Sequence, residues 1–326
     1  MRIECASASQ CGTHTLVNQD AVFCKELSSG ESKLAVAAVF DGHGLLGEAA
    51  ASESVRALPR AVMEAGAWTT EPEECMRRVI RSLHAAVVEA HTPCRLPAMH
   101  EHGYGTHVLT YSLASDGSAY ESSSSSALGG GRSSAHPVDF GCTAAVAVLV
   151  CQSRMLVAGN AGDSIVLLCS ASDYDLGISS LSMKHAADED DEARRLESTD
   201  GTARILDGYL QALRGPLRGH SLQPTRGLGH PLWAAYGISA EPHVSTVSIS
   251  EPIDGRMGFA LVVLSDGVSD LLSTEAILET VAETGCARGA ARALVDEAVA
   301  LANVSSGGAD RDDATSAVVW WDEDDP

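Results

Sequence analysis

The sequence predicts an α+β fold, on two observations. Short apolar runs bounded by Gly, Asp or Asn recur along the chain and read as buried strands. Amphipathic segments fall in two adjacent pairs instead of following each strand. The resulting order is strands, two helices, many strands, two helices, strand, unlike the regular βαβα alternation of a parallel sheet. With 326 residues and 45% apolar side chains, the chain has a globular composition and the length of two ordinary domains or one large one.

The strands are Leu34 to Phe40, Thr143 to Val150, Met155 to Ala158, Ile165 to Cys169, Phe259 to Leu264 and Ser316 to Trp321. The first helix covers 47–65, rich in Ala and Glu. The second begins at Thr70, where Glu73 three residues on gives a capping-box pattern. Its positions Met76, Val79, Ile80, Leu83 and Val87 keep the spacing of one buried face. The second pair is Thr274 to Thr284 and Ala287 to Ala302, the latter with a stripe of Ala291, Leu294, Val295, Ala298 and Leu301. Residues 94–140, rich in Ser, Gly and His, read as a flexible surface insertion. The acidic run Asp188 to Glu192 reads as a solvated helix start or loop, with Arg194 and Arg195 pairing with it locally. Trp320 and Trp321 fall on opposite faces of the last strand.

Acidic side chains number 44 against 22 basic ones, for a formal net charge of −22. That balance argues against nucleic-acid binding through a basic face and against docking on anionic lipid. The longest apolar run, Ala144 to Cys151, falls far short of the ~20 residues of a membrane span. Met1 to Ser7 has no apolar core of signal-peptide type. Nine scattered cysteines without a CxxC pair fit reduced thiols in an intracellular compartment, cytoplasmic or nuclear.

The chemistry lies in aspartates at strand ends. Asp20 closes Asn18-Gln19-Asp20, Asp41 opens Asp41-Gly42-His43-Gly44, and Asp163 sits in Gly162-Asp163-Ser164. Asp266 follows Leu264-Ser265, and Asp312 lies in Asp310-Arg311-Asp312-Asp313. Any one Asp-Gly is ordinarily a turn. A carboxylate at a buried strand end is nevertheless costly unless its charge is compensated. Five of them, with few basic residues nearby, would repel one another at converging strand ends unless cations sat among them. Hard oxygen donors select Mg²⁺ or Mn²⁺ over zinc.

In chain order, Asn18-Gln19-Asp20, Asp41-Gly42-His43-Gly44, Gly141-Cys142-Thr143-Ala144, Gly162-Asp163-Ser164, Thr225-Arg226-Gly227-Leu228-Gly229, Ser265-Asp266-Gly267 and Asp312-Asp313-Ala314-Thr315 form a series. This series resembles that of the type 2C metal-dependent protein serine/threonine phosphatases. The resemblance runs from about Cys11 to Trp321. It implies a four-layer α-β-β-α sandwich, two antiparallel β-sheets flanked by pairs of antiparallel helices. On this reading 1–326 is one catalytic domain, with the insertion at 94–140 and an acidic tail at 322–326. The resemblance also implies two divalent ions, Mg²⁺ or Mn²⁺, bridged by Asp41. The Gly42 carbonyl would complete one, and Asp266 and Asp312 would hold the other. Gln19 and Asp20 would bind metal-coordinated waters, Asp163 matches the position of a third, weaker ion, and His43 matches the general acid. The implied reaction is hydrolysis of phosphoserine and phosphothreonine by direct attack of a metal-bridging hydroxide. The implied partners are phosphorylated proteins, met by a monomer.

Four positions depart from that pattern. Thr15 stands where the family usually has an Arg that grips phosphate, with His14 beside it. Gln19 replaces a common Glu, His230 replaces the usual Asp after Gly229, and Ser269 replaces a frequent Trp. The losses at Thr15 and His230 motivate a competing function, a catalytically weakened phosphatase-like module that binds phosphoproteins. A hydrolase of small phosphorylated metabolites is the third reading. Elsewhere, His100, His102 and His107 read as solvated loop residues. Gly129 to Gly131 lack the Lys-Ser/Thr of a phosphate loop. Cys142 reads as a small buried hydrophobe.

Overall fold

The computed structural model describes residues 2–13, 17–29, 32–44, 46–90, 99–104, 107–113, 119–125, 136–137, 139–171, 176–197, 201–249, 258–307 and 310–322. Two five-stranded antiparallel sheets dominate it. The first has the order Arg2–Gln10, Ala314–Asp322, Gly258–Leu264, Ile165–Ala171, Leu176–Ser180. The second runs His243–Ser248, Met155–Ala161, Ala144–Val150, Ser32–Phe40, Ala21–Ser29. Each expected strand is present, extended by a few residues at one or both ends except at Thr143, which precedes its strand.

The central strands are apolar on both faces, and the alternation of side chains decides what each face meets. In Ser32–Phe40, Leu34, Val36, Ala38 and Phe40 join one core, while Ala35, Ala37 and Val39 join another. That second core also takes Phe259, Leu261, Val263 and Trp321 from the other sheet. Trp320 turns the opposite way, into a third core with the C-terminal helices, so the two tryptophans divide as their adjacency requires.

Helix α1 (Gly47–Ala65) and helix α2 (Pro72–Ala90) close the first core, burying Leu58, Val62, Met76, Val79, Ile80, Leu83 and Val87. The expected capping box is absent. Thr70 donates its hydroxyl to the Ala67 carbonyl, and α2 starts two residues later on Pro72. Proline suits that first position because its missing N–H would have had no helical acceptor. Helix α3 (Asp190–Glu197) and the single turn α4 (Asp266–Ser269) follow, then α5 (Thr274–Thr284) and α6 (Ala287–Ser306). Ser273 caps α5 by accepting from the Ala276 N–H at 3.2 Å. On α6 the buried stripe includes Ala291, Leu294, Val295, Ala298 and Ala302, whereas the expected Leu301 is 43% exposed. Leu301 lies one residue before the buried Ala302, off the stripe's inner line.

Two surface expectations change. Within 94–140, the segments Met99–Tyr104, His107–Leu113, Ala119–Ser125 and His136–Pro137 pair as a four-stranded antiparallel sheet. His100, His102 and His107 are therefore on strands, and their side chains lie outside the described residues, as do Gly129 to Gly131 and tail residues 323–326. The acidic run is not wholly solvated. Glu192 is buried on α3 and receives bonds from Arg195, Arg226 and the Thr225 hydroxyl. Among the described residues, no helix is long and apolar enough to cross a membrane.

Candidate metal centre

The motif residues meet because short-range bonds tie their loops together. The Asp41 N–H donates to Thr143 Oγ1 at 3.1 Å, and the Thr143 N–H returns to the Asp41 carbonyl at 2.8 Å. Thr143 Oγ1 also lies 2.7 Å from Ser164 Oγ, beside Asp163. One threonine thus holds the loops of two of the aspartates. Beyond Asp41, Gly42–Gly44 pairs with Phe140–Cys142, which pairs with Leu228–Gly229, so three motifs form one small sheet. Gly42 is buried against the backbone of Gly47 and Gln19, and any Cβ there would overlap them. Gly141 faces the His230 ring in the same way. Cys142 is buried, and burial pushes its thiol up to about 12, which fits a packing role.

The other four predicted aspartates all lie within electrostatic reach of Asp41. Burial raises Asp41 well above the carboxylate range, and the charges of Asp266, Asp20, Asp312 and Asp163 raise it further. Burial lifts Asp20 to about 8, against hydrogen bonds from Thr315 and Ser265; the Ser265 hydroxyl donates to its Oδ2 at 2.9 Å. Asp163 reaches about 8, again by burial and then by the charge of Asp266. Asp266 is raised by burial too, opposed by a hydrogen bond with Asp41. Buried oxygens without a partner remain on Asp20 (Oδ1), Asp163 (both) and Asp266 (Oδ1).

Gln19 is buried with its amide turned to protein, donating to the Gly44 carbonyl at 2.9 Å and to Glu48 at 3.2 Å. Its backbone N–H donates to Asp313 Oδ2 at 2.7 Å, and Gly12 donates to Asp313 Oδ1 at 2.6 Å. Asp313 is thus the clamp that holds the Gln19-Asp20 segment beside exposed Asp312. The doubled aspartate was the available signal for it. Thr15 and His14 lie outside the described residues.

His43 Nε2 stands 3.9 Å from Asp41 Oδ1, and its Nδ1 is buried without a partner. Burial, and then neighbouring His230, push His43 down to about 3, so it is neutral at pH 7 without substrate. His230 sits in a left-handed conformation with φ 51°. Its ring centroid is 6.3 Å from that of His43, and its Nδ1 is 3.0 Å from Asp139 Oδ2. The departure at His230 therefore borders the candidate acid. Asp139, at the edge of the insertion, and Lys184, 2.9 Å from Asp270, are site neighbours that no motif announced. Asp270 follows Asp266 by one helical turn, a spacing that could have marked it.

The donors fit a hard divalent cation: they are carboxylates, several oxygens are buried and unpaired, and mutual repulsion is what a cation would relieve. Among the described residues, no group of three or more His, Cys, Asp or Glu donors is already set around one point.

A family model described as protein phosphatase 2C matches residues 104–307. A probable protein phosphatase 2C 41 of Arabidopsis thaliana is 31% identical over 166 residues, covering 49% of this chain and 45% of that protein. The chain spans under half the length of the curated relatives it matches. Among solved structures, a serine-threonine phosphatase 2C from Toxoplasma gondii superposes with TM-score 0.68 and 18% identity, covering 98% of this chain and 94% of that one. The catalytic domain of the serine threonine protein phosphatase PstP, in complex with two manganese ions, superposes with TM-score 0.52 and 16% identity over 99% of each chain.

Proposed function

Because this chain belongs to the protein phosphatase 2C family, we propose that it is a Mg²⁺- or Mn²⁺-dependent phosphatase acting on phosphoserine and phosphothreonine in proteins. The observation that carries this reading is the set of mutually repelling, partly unpaired buried carboxylates on Asp20, Asp163 and Asp266 around Asp41. The two manganese ions of the PstP catalytic domain support the same reading.

Asp41, the Gly42 carbonyl, Asp266 and Asp312 would hold two ions, Asp163 would face a third, weaker one, and Asp20 would order the waters around them, with Gln19 contributing only its amide oxygen because its amide nitrogen donates to Gly44 and Glu48. Bound there, the ions supply an activated water and a clamp on the phosphoryl oxygens. The protein's own part is to fix that geometry. Thr143 holds the Asp41 backbone, and Asp313 holds the Gln19 backbone. His43 gives a proton to the leaving serine or threonine oxygen. A phosphate dianion beside it favours the protonated imidazole and brings it up from its depressed value. The two main sheets between the two helix pairs are read as a four-layer α-β-β-α stack, acting as one monomeric catalytic domain inside the cell.

The test is phosphate release from a phosphothreonine peptide with Mn²⁺, with EDTA, and with Asp266→Asn. Wild type turns over with Mn²⁺ alone, and the variant loses at least ~100-fold. The departure at His230, whose ring lies beside His43, favours a second reading, a weakened phosphoprotein-binding module. Peptide binding without Mn²⁺-dependent turnover would establish that reading instead.

A further inference from the structure

Lys184 is a positive charge fixed against the metal centre from two sides. The residue before it is tied to Asn160, whose amide donates to the Met183 carbonyl at 2.6 Å and accepts from the Met183 N–H at 3.2 Å. The residue after it is tied to Gly162: the His185 N–H donates to the Gly162 carbonyl at 3.0 Å, and the Gly162 N–H donates to His185 Nδ1 at 3.3 Å. Asn160 and Gly162 lead directly into Asp163. On the other side, the Lys184 ammonium donates to Asp270 Oδ1 at 2.9 Å, one turn after Asp266. Asp163 has both carboxylate oxygens buried and without a hydrogen-bond partner, and Asp266 has one. Lys184 attracts both carboxylates through space.

We infer that Lys184 is a built-in counter-charge for the Asp163, Asp266 and Asp270 side of the centre, and that it competes with a divalent cation there. The inference rests on the metal-centre reading above. An ammonium and a divalent ion beside the same carboxylates repel, so the lysine weakens ion binding on this side. It also relieves the carboxylates while no ion is bound. The ion that Asp266 would share with Asp41 and Asp312 meets it less, because among those three carboxylates Lys184 faces Asp266. Lys184 thus sets the free divalent-ion concentration at which the weakest position fills.

Mn²⁺ titration calorimetry on the full chain tests this directly, with thermal unfolding in EDTA as a second readout. Lys184→Met and Lys184→Gln bind the weakest Mn²⁺ roughly 2- to 10-fold more tightly, the size expected for one partly exposed charge. The tighter ions gain less affinity than the weakest one, and the EDTA melting temperature falls. Lys184→Arg keeps the wild-type isotherm. Mn²⁺ binding by wild type with unchanged isotherms in both neutral variants overturns the role of Lys184 and leaves the metal centre standing. If neither wild type nor any variant binds Mn²⁺, the metal-centre reading falls and takes this inference with it.

Discussion

Single residues carry the proposed chemistry, and the convergence of the five aspartates is where sequence and structure meet most directly. Asp20, Asp41, Asp163, Asp266 and Asp312 could be picked out because isolated acids at the ends of apolar strands are expensive, and the fold brings them together. The residues that position them were harder to see. Thr143 is one more β-branched residue in an apolar run, and its double bond to Asp41 exists only after two strands meet. Lys184 belongs to no pattern at all. For His43, chemistry makes a sharper demand than sequence. If His43 is the proposed acid, its value near 3, depressed by burial and by His230, requires that a proton be recruited when phosphate binds. His43→Ala should slow hydrolysis of alkyl phosphates at least ~10-fold more than that of aryl phosphates, whose leaving groups need little protonation. Steady-state rates on one substrate of each kind decide it, and equal losses would remove His43 from the acid's role.

At the scale of elements, periodicity found the helix faces and both helix pairs, because a buried face repeats every three to four residues. It failed where an acidic run was read by composition. Asp188 to Asp191 are solvated as charge runs usually are, yet Glu192 turns inward from α3. Burial works against its charge, but bonds from Arg226, Arg195 and Thr225 hold its carboxyl well below the usual range. These bonds join α3 to the Thr225-Arg226 motif, so this glutamate is a structural bolt. A group depressed in the folded state contributes stability above its unfolded value near 4.5, and that stability is lost as pH falls. Glu192→Gln leaves two arginines facing a neutral group and should destabilise the protein by about 3 kcal/mol, read as a lower urea midpoint at pH 7. An unchanged midpoint would refute the bolt.

For the whole molecule, fold class was readable because central strands are apolar on both faces, which requires cover on each side. The pairing of the first and last strands carried no such signal. Nothing in Arg2–Gln10 names Ala314–Asp322 as its neighbour. The assembled centre gives the protein a pH dependence of definite sign. Asp20 and Asp163 sit near 8 when folded and near 3.8 when unfolded, so their contribution is complete at low pH and is lost as pH rises through 8. His43 and His185, depressed to about 3 and 4 by burial, act oppositely but only below 6.5. In EDTA, the melting temperature should therefore fall by about 3 °C or more between pH 6.5 and 8.5, and Mn²⁺ should flatten the slope by pairing the carboxylates. A melting temperature that rises over that interval in EDTA would contradict the arrangement. The clamp between Asp313 and Gln19 spans 294 positions. At cellular elongation rates of 5–20 residues per second, the ribosome needs roughly 15–60 s to supply the second partner after the first. Throughout that wait, the nascent chain holds Asp20 and Asp41 without the loops that gather them, and Arg2–Gln10 waits as an unpaired strand. The centre is thus among the last features to form, and a chain released before Asp313 has no clamp on Gln19.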